Sequence, residues 1–291
     1  MSSGSSYANT VCSEGAFTTI VALFAWMVIP DWPETAKFLT EEERAMVLAR
    51  LSVDMAAARM DRLDKSAAKR VFGDWKIYIN IIMNMSVVNS SYALSFFTPT
   101  IINEMGYKAE AAQIRSIPVF VVAAIASVAT AAWSDRLRHR FGFIIGGIMV
   151  ATAGYAVMLN YDRVSVGGKY AALFLVVSGG FIAQPVVIAW AQNNTAGHYK
   201  RSISSAMMIG FGNCGGIIAS NIYITSERPQ YPTGLGVSLS LLWVCAIASA
   251  IFLVGMRWEN KRRDAGARDA RLEGADGDNL GDDHPNFRYT Y

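Results

Sequence analysis

The chain is short of charge. Asp, Glu, Lys and Arg make up 17% of its 291 residues, against about 25% in an ordinary soluble domain. Histidine and cysteine are scarcer still, at three each. His139, His198 and His284 fall in loops or tail, and no His-Glu-X-X-His or Ser–His–Asp pattern sets a base beside a metal or a nucleophile. Cys12, Cys214 and Cys245 have neither metal-ligand spacing nor a disulfide framework. Cys214 and Cys245 sit in apolar runs, where cysteine serves as a small packing residue. The glycines form neither a strand–Gly-X-Gly-X-X-Gly–helix unit nor a phosphate loop. These absences argue against an enzyme and leave no catalytic residue, metal site or cofactor to propose. The net charge is only +3, and its cations flank loops instead of gathering on a folded face. That excludes a nucleic-acid partner.

What the chain has in abundance is apolar sequence. Hydrophobic residues make up 53%, and charge-free runs cover 15–30, 77–103, 116–134, 141–161, 170–197, 202–226 and 229–256. A hydrocarbon core about 30 Å thick needs about 20 mostly apolar residues in a helix. Six of the seven runs reach or approach that length, and the first is short. The spacing predicts an all-α polytopic membrane protein of about seven transmembrane helices embedded in a lipid bilayer. Nine Lys/Arg fall between Asp31 and Lys76, three in the loop 135–140, two in 198–201 and more after Asn260. The alternate loops hold Lys108 and Arg115, Arg163 and Lys169, and Arg228. Lys/Arg-rich loops stay in the cytoplasm. The alternation therefore puts the N-terminus outside and the C-terminus inside.

The domain reading follows. Residues 1–14 are an N-terminal remnant, 15–30 a first span, 31–77 a cytoplasmic loop, 78–257 a six-helix block and 258–291 a tail. The first residues carry no positive stretch of the kind that opens a secretory signal. In the loop, Pro30 closes the span, and Thr40 with Glu43 fits a capping box. "KRVFGDWKIY" predicts a second short segment, its aromatic and basic residues suited to the headgroup zone. The tail alternates charge with glycine and has too little apolar surface to fold, so disorder is expected there.

Polar residues inside the spans are the candidates for function, since a lipid-facing amide is costly. Asn80, Asn84, Ser91 and Ser95 share a face of the second span, beside Tyr92. Both interhelical hydrogen bonding and ligand contact satisfy that pattern. Pro185 removes a backbone bond in the fifth span and is expected to bend or break it beside Gln184. Trp190 is expected as an interface anchor. Gly212 and Gly216 form a Gly-X-X-X-Gly beside Gly210, Gly215 and Asn213. That smooth surface suits intramolecular packing ahead of dimerisation.

"WSDRLRHR" at 133–140 resembles the Asp-Arg turn of the major facilitator superfamily. "EGAFTTIVALFAWMVIPDWPETAKFLTEEER", "MGYKAEAAQIRSIP", "AWAQNNTAGHYKRSISSAMMIGFGNCGGIIASNIY", "RPQYPTG" and "FRYTY" are similar to its fungal allantoate and nicotinate permease branch of anion:cation symporters. The likeness runs from Glu14 to Tyr291. It implies an incomplete major facilitator fold, helices 6 to 12 of twelve, with a missing N-terminal half as partner. It further implies secondary transport of a small organic anion with protons, at the plasma membrane. Asp135 and Arg136 would brace helix ends, Arg136 by pairing with an acid. Asn84, Tyr92, Gln184 and Asn213 would contact substrate. A rival reading is a truncated half that serves as a non-transporting membrane subunit or has no role. Spans two to seven hold no charged residue in their interiors. Glu14, Glu104 and Asp162 at span edges are the nearest acids for proton coupling.

Overall fold

In a bilayer every backbone polar group must find its partner inside the protein, which leaves a charge-poor chain with helices. A computed structural model describes residues 3–29, 36, 38–55, 60, 64–273 and 279–291, and among them no strand occurs. Residues 1–56 and 57–291 form two compact units.

In the first unit, α1 runs Ser3–Val28 and α2 Glu41–Met55. Helix α1 begins well before residue 15, so the expected remnant is helical from Ser3 onward. Its apolar part, Cys12–Val28, would be about 25 Å long, short of a full crossing. The capping box forms as expected. The Thr40 N–H donates to Glu43 Oε2 at 3.0 Å, and the Glu43 N–H to Thr40 Oγ1 at 3.3 Å. Pro30 lies outside the described residues.

The second unit begins with the short α3, Lys65–Phe72, capped by Asp64. Six helical segments then run up and down. They are α4 (Trp75–Glu104), α5 (Ala109–Leu137), α6 (Arg140–Leu159), α7 (Val166–Asn193), the pair α8 (His198–Gly212) and α9 (Cys214–Ile222), and α10 (Pro232–Asp264). Among the described residues five elements are long and apolar enough to cross a membrane: α5, α6, α7, α8–α9 together, and α10. At 30 residues α4 has the length, but asparagines and serines keep it less apolar than the others. Most of those polar groups are turned inward, Ser95 being exposed. Asn80, Asn84 and Asn89 are all buried against neighbouring helices. Helix α4 is central, touching α5, α7, α8, α9 and α10, while α6 packs mainly on α7. Glycines permit the tightest approach, since a Cβ at Gly154 or Gly179 would collide with the facing helix backbone.

Two expectations need correction. Pro185 does not end its helix, and α7 is continuous to Asn193. A local tightening lies in the sixth membrane segment, at Asn213 between α8 and α9, where the Gly216 N–H bonds three residues back while the backbone stays helical. The tail is not disordered over its described length. Helix α10 extends to Asp264, short 3-10 turns cover Asp269–Glu273 and Gly281–Asp283, and residues 279–291 are largely buried. Hydrogen bonding holds it, together with Tyr289, Phe287 and Tyr291 packed on the core.

Candidate functional site

The family resemblance implies four contact residues, Asn84, Tyr92, Gln184 and Asn213, and the structure gives them different surroundings. Asn84 is buried, and its Nδ2 donates to the Met208 carbonyl of α8 at 3.0 Å. Asn89 does the same to Gly215 of α9 at 3.1 Å. These two amides fasten α4 to α8–α9. The absence of a side chain at Gly212 makes room for Asn84 itself. Asn84 is therefore an interhelical fastener, not an open contact. The glycine surface packs within the chain, as expected: Gly212, Gly215 and Gly216 all face α4.

The other three are less buried and lie on different helical segments, α4, α7 and the α8–α9 junction. Ser91 Oγ of α4 donates to Gln184 Oε1 of α7 at 3.0 Å. With its oxygen so engaged, the Gln184 amide has its NH2 group left to offer. Gly180, one turn before Gln184, lets α7 approach Ser90 and Ser91. Tyr92 is 39% exposed. Its ring stacks on Phe96 with centroids 5.9 Å apart and lies against Gly216 of α9, where a Cβ would sit 3.0 Å from the ring. Asn213, one turn before Gly216, is exposed at the α8–α9 junction. Its carbonyl accepts from the Gly216 N–H at 2.9 Å. Tyr92 and Asn213 are exposed and Gln184 half-buried, so all three are neutral side chains with surface left to offer. Ser95, Ser220 and Asn221 turn back onto their own helix carbonyls.

The expected coupling acids are elsewhere. Glu104 pairs loosely with Arg228 at 3.8 Å, and Asp162 accepts from Gln230 at 2.9 Å, both at one end of the helices. Glu14 is exposed on α1. Among the described residues no group of three or more His, Cys, Asp or Glu could hold a metal.

The opposite end holds the Asp-Arg turn. Asp135 pairs with Arg140, at 2.6 Å, while Arg136 is exposed. Arg140 also donates to Ser134 Oγ at 3.1 Å, and is buried. The α5–α6 turn between them is made by Arg138 in a left-handed conformation (φ 53°). Among the described residues no acidic partner of Arg136 occurs, and Arg140 was missed because its pairing depends on how that turn closes. Trp190 is not an interface anchor either. It is fully buried, its Nε1 donating to the Thr290 carbonyl at 2.9 Å.

Sequence reading also missed a buried charge cluster at this end. Lys76 contacts Asp74 at 2.7 Å and Asp282 at 3.2 Å, and Lys200 contacts the same two at 2.6 and 2.7 Å. Asp74 additionally caps α4, accepting from the Lys76 N–H at 3.0 Å. A cavity of about 650 Å³ opens beside it, lined by Lys69, Arg70, Trp75, Trp258, Glu259 and Tyr289 among others. It lies at the helix ends, away from Tyr92, Gln184 and Asn213.

A sequence model of the Major Facilitator Superfamily matches residues 3–220. An uncharacterised transporter of Schizosaccharomyces pombe, C11D3.18C, is 30% identical over 95% of this chain and 54% of its own length. The major facilitator-type transporter hxnP of Emericella nidulans is 31% identical over 86% of this chain and 51% of its own. The high-affinity nicotinic acid transporter of Saccharomyces cerevisiae is 23% identical, over 89% and 48%. The chain spans about half the length of these relatives.

Proposed function

Because the chain belongs to the major facilitator superfamily, we propose that it supplies one half of a secondary active transporter. In its complete form that transporter carries a small organic anion, of carboxylate, vitamin or ureide class, together with protons. The chain is an integral membrane protein. We assign it to the plasma membrane, with the end bearing Asp74, Asp135 and Asn260 in the cytoplasm, because Lys/Arg-rich loops collect there.

The observation that carries this reading is that Tyr92 of α4, Gln184 of α7 and Asn213 between α8 and α9 each keep polar groups part-exposed on otherwise apolar membrane segments. Transporters of this architecture hold substrate where two halves meet, at interrupted helices. The α8–α9 junction at Asn213 is a mild local irregularity in a membrane segment, a single tightened turn in a backbone that stays helical. The NH2 of Gln184, oriented by Ser91, and the Tyr92 hydroxyl are donors suited to a carboxylate. The name of the budding-yeast relative, a nicotinic acid transporter, agrees with an anionic substrate. An anion and its coupling proton also need charged groups in low dielectric, and the interiors of α4 to α10 offer none. The complementary half is expected to supply them.

The test is saturable uptake of a labelled organic-acid panel in cells that lack their own uptake. The chain is expressed alone and together with the N-terminal half of a full-length relative. Uptake is expected only with both halves and with a proton gradient. Gln184→Ala and Asn213→Ala are each expected to lower it more than tenfold. Normal uptake in both variants would refute the site, and gradient-driven uptake by the chain alone would refute the need for a second half.

A further inference from the structure

The described segment 279–291 crosses one end of the helix bundle and bonds to nearly every element there. Asp282 is wholly buried, and its carboxylate stands between Lys76 of α4 and Lys200 of α8. Two buried ammonium groups thus meet two buried carboxylates, Asp74 and Asp282. Without Asp282, the two ammonium groups would keep only Asp74 in close contact, with half-buried Asp283 3.6 Å from Lys200. Burial would raise the Asp282 carboxyl, but Lys200 and Lys76 outweigh it and hold the group near 2.

The rest of the segment is tied through its backbone. Asn260 of α10 exchanges two bonds with Tyr289, donating to its carbonyl and accepting from its N–H, each at 2.9 Å. Asn194, at the end of α7, does likewise with Thr290 at 3.1 and 2.8 Å. Trp190 donates to that same Thr290 carbonyl. The Arg140 N–H, at the start of α6, donates to the Tyr291 carbonyl at 2.8 Å. Arg263 reaches the Phe287 carbonyl at 2.8 Å and the Tyr289 hydroxyl at 2.9 Å. Gly281 adopts φ +60°, and a Cβ there would sit 2.7 Å from the Ala196 carbonyl. Only glycine lets this turn press onto the loop between α7 and α8.

We propose that residues 279–291 are a built-in clasp, in which Asp282 neutralises Lys76 and Lys200 and the paired asparagines hold the strand, so that the ends of α4, α6, α7, α8 and α10 move as one body. The inference is independent of the substrate reading. Its content is mechanical. Helix ends that carry two like charges stay together only while the clasp is seated, so releasing it loosens helices far from it in sequence.

The experiment is hydrogen exchange, residue by residue, on the purified 291-residue chain in lipid nanodiscs. Asp282→Asn keeps the shape of the side chain and removes its charge. Leaving a buried charge without its partner commonly shifts an equilibrium by about a hundredfold or more. The expected result is exchange faster by about that factor at Tyr289 and Thr290, at Arg140, and at Arg201 to Ser204 in the first turns of α8. Amides in the middle of α6 and α7 keep their wild-type rates. Asn260→Ala leaves the charge cluster intact. It is expected to speed Tyr289, Thr290 and Arg140 while sparing α8. Faster exchange confined to 279–291 in Asp282→Asn would make the segment a passenger and overturn the proposal. Unchanged exchange at Tyr289 in either variant would overturn it too. Should Asp282→Asn unfold the chain globally, the Asn260→Ala result decides alone: wild-type exchange at Arg140 there refutes the clasp.

Discussion

Gly215→Ala isolates the contact on which the candidate site depends. A Cβ at Gly215 would meet the Met85 carbonyl oxygen and lie 3.0 Å from the Asn89 amide nitrogen, both backbone atoms of α4. Backbone inside a helix cannot turn aside as a side chain does. Forcing a methyl group into such a contact costs about 1–3 kcal/mol. Pushing α9 away also stretches the bond from Asn89 to the Gly215 carbonyl, 3.1 Å long, a kind of interhelical bond that averages about 0.6 kcal/mol in membranes. Alanine is the better helix former by about 1 kcal/mol, which opposes both terms. Gly210→Ala removes that ambiguity, because Gly210 lies in α8 with open space where its Cβ would go. The propensity gain cancels between the two variants, leaving Gly215→Ala less stable than Gly210→Ala by about 2–4 kcal/mol. Unfolding by SDS titration in mixed micelles, followed by far-ultraviolet circular dichroism, measures the difference. Equal stability of the two variants would refute the close packing of α4 on α9.

Asp135→Ala, made in a complete transporter, is expected to slow transport more than it weakens substrate binding, because Asp135 and Arg140 meet across the turn that joins two helix ends. Parallel uptake and binding assays check it, and lost binding with normal turnover would contradict it. Burial, with Arg263 adding to it, holds the His284 pKa below its ordinary value, and the neutral ring accepts from the Asn286 N–H at 3.1 Å. The folded state then binds fewer protons than the unfolded one below about pH 6.5. The stabilisation is complete above that pH and is lost as pH falls through the lowered native value. Exchange at Phe287 and Tyr289, corrected for intrinsic rates, should therefore quicken between pH 7.5 and 5.5 in wild type and stay level in His284→Gln; the same pH response in both would exclude His284. Single cysteines at Lys69 and Arg262 should label from the cytosol and one at Gly167 from outside, and labelling of position 167 only from the cytosol would invert the orientation.

Residue order alone determined where the helices run. A charge-free stretch of about 20 residues has few ways to satisfy its backbone in lipid, and the runs starting near residues 77, 116, 141, 170, 202 and 229 all became helix. The Thr40–Glu43 cap and the packing role of Gly212 and Gly216 were legible for the same reason: they depend on residues three or four apart. Partner choice was not legible. Asn84 and Asn213 look alike as polar residues in apolar helices, yet one is spent on the Met208 carbonyl, 124 residues away, and the other stands open. Arg140, not Arg136, found Asp135 because a left-handed residue at Arg138 sets the angle of the turn. The tail was read as disordered from its lack of apolar surface. It is held by polar bonds, such as Trp190 to Thr290 across 100 residues, by Asp282 between two lysines, and by Tyr289, Phe287 and Tyr291 packed on the core. Hydropathy and capping are properties of a short window. Charge compensation and hydrogen-bond pairing belong to whichever helix ends the tertiary structure brings together.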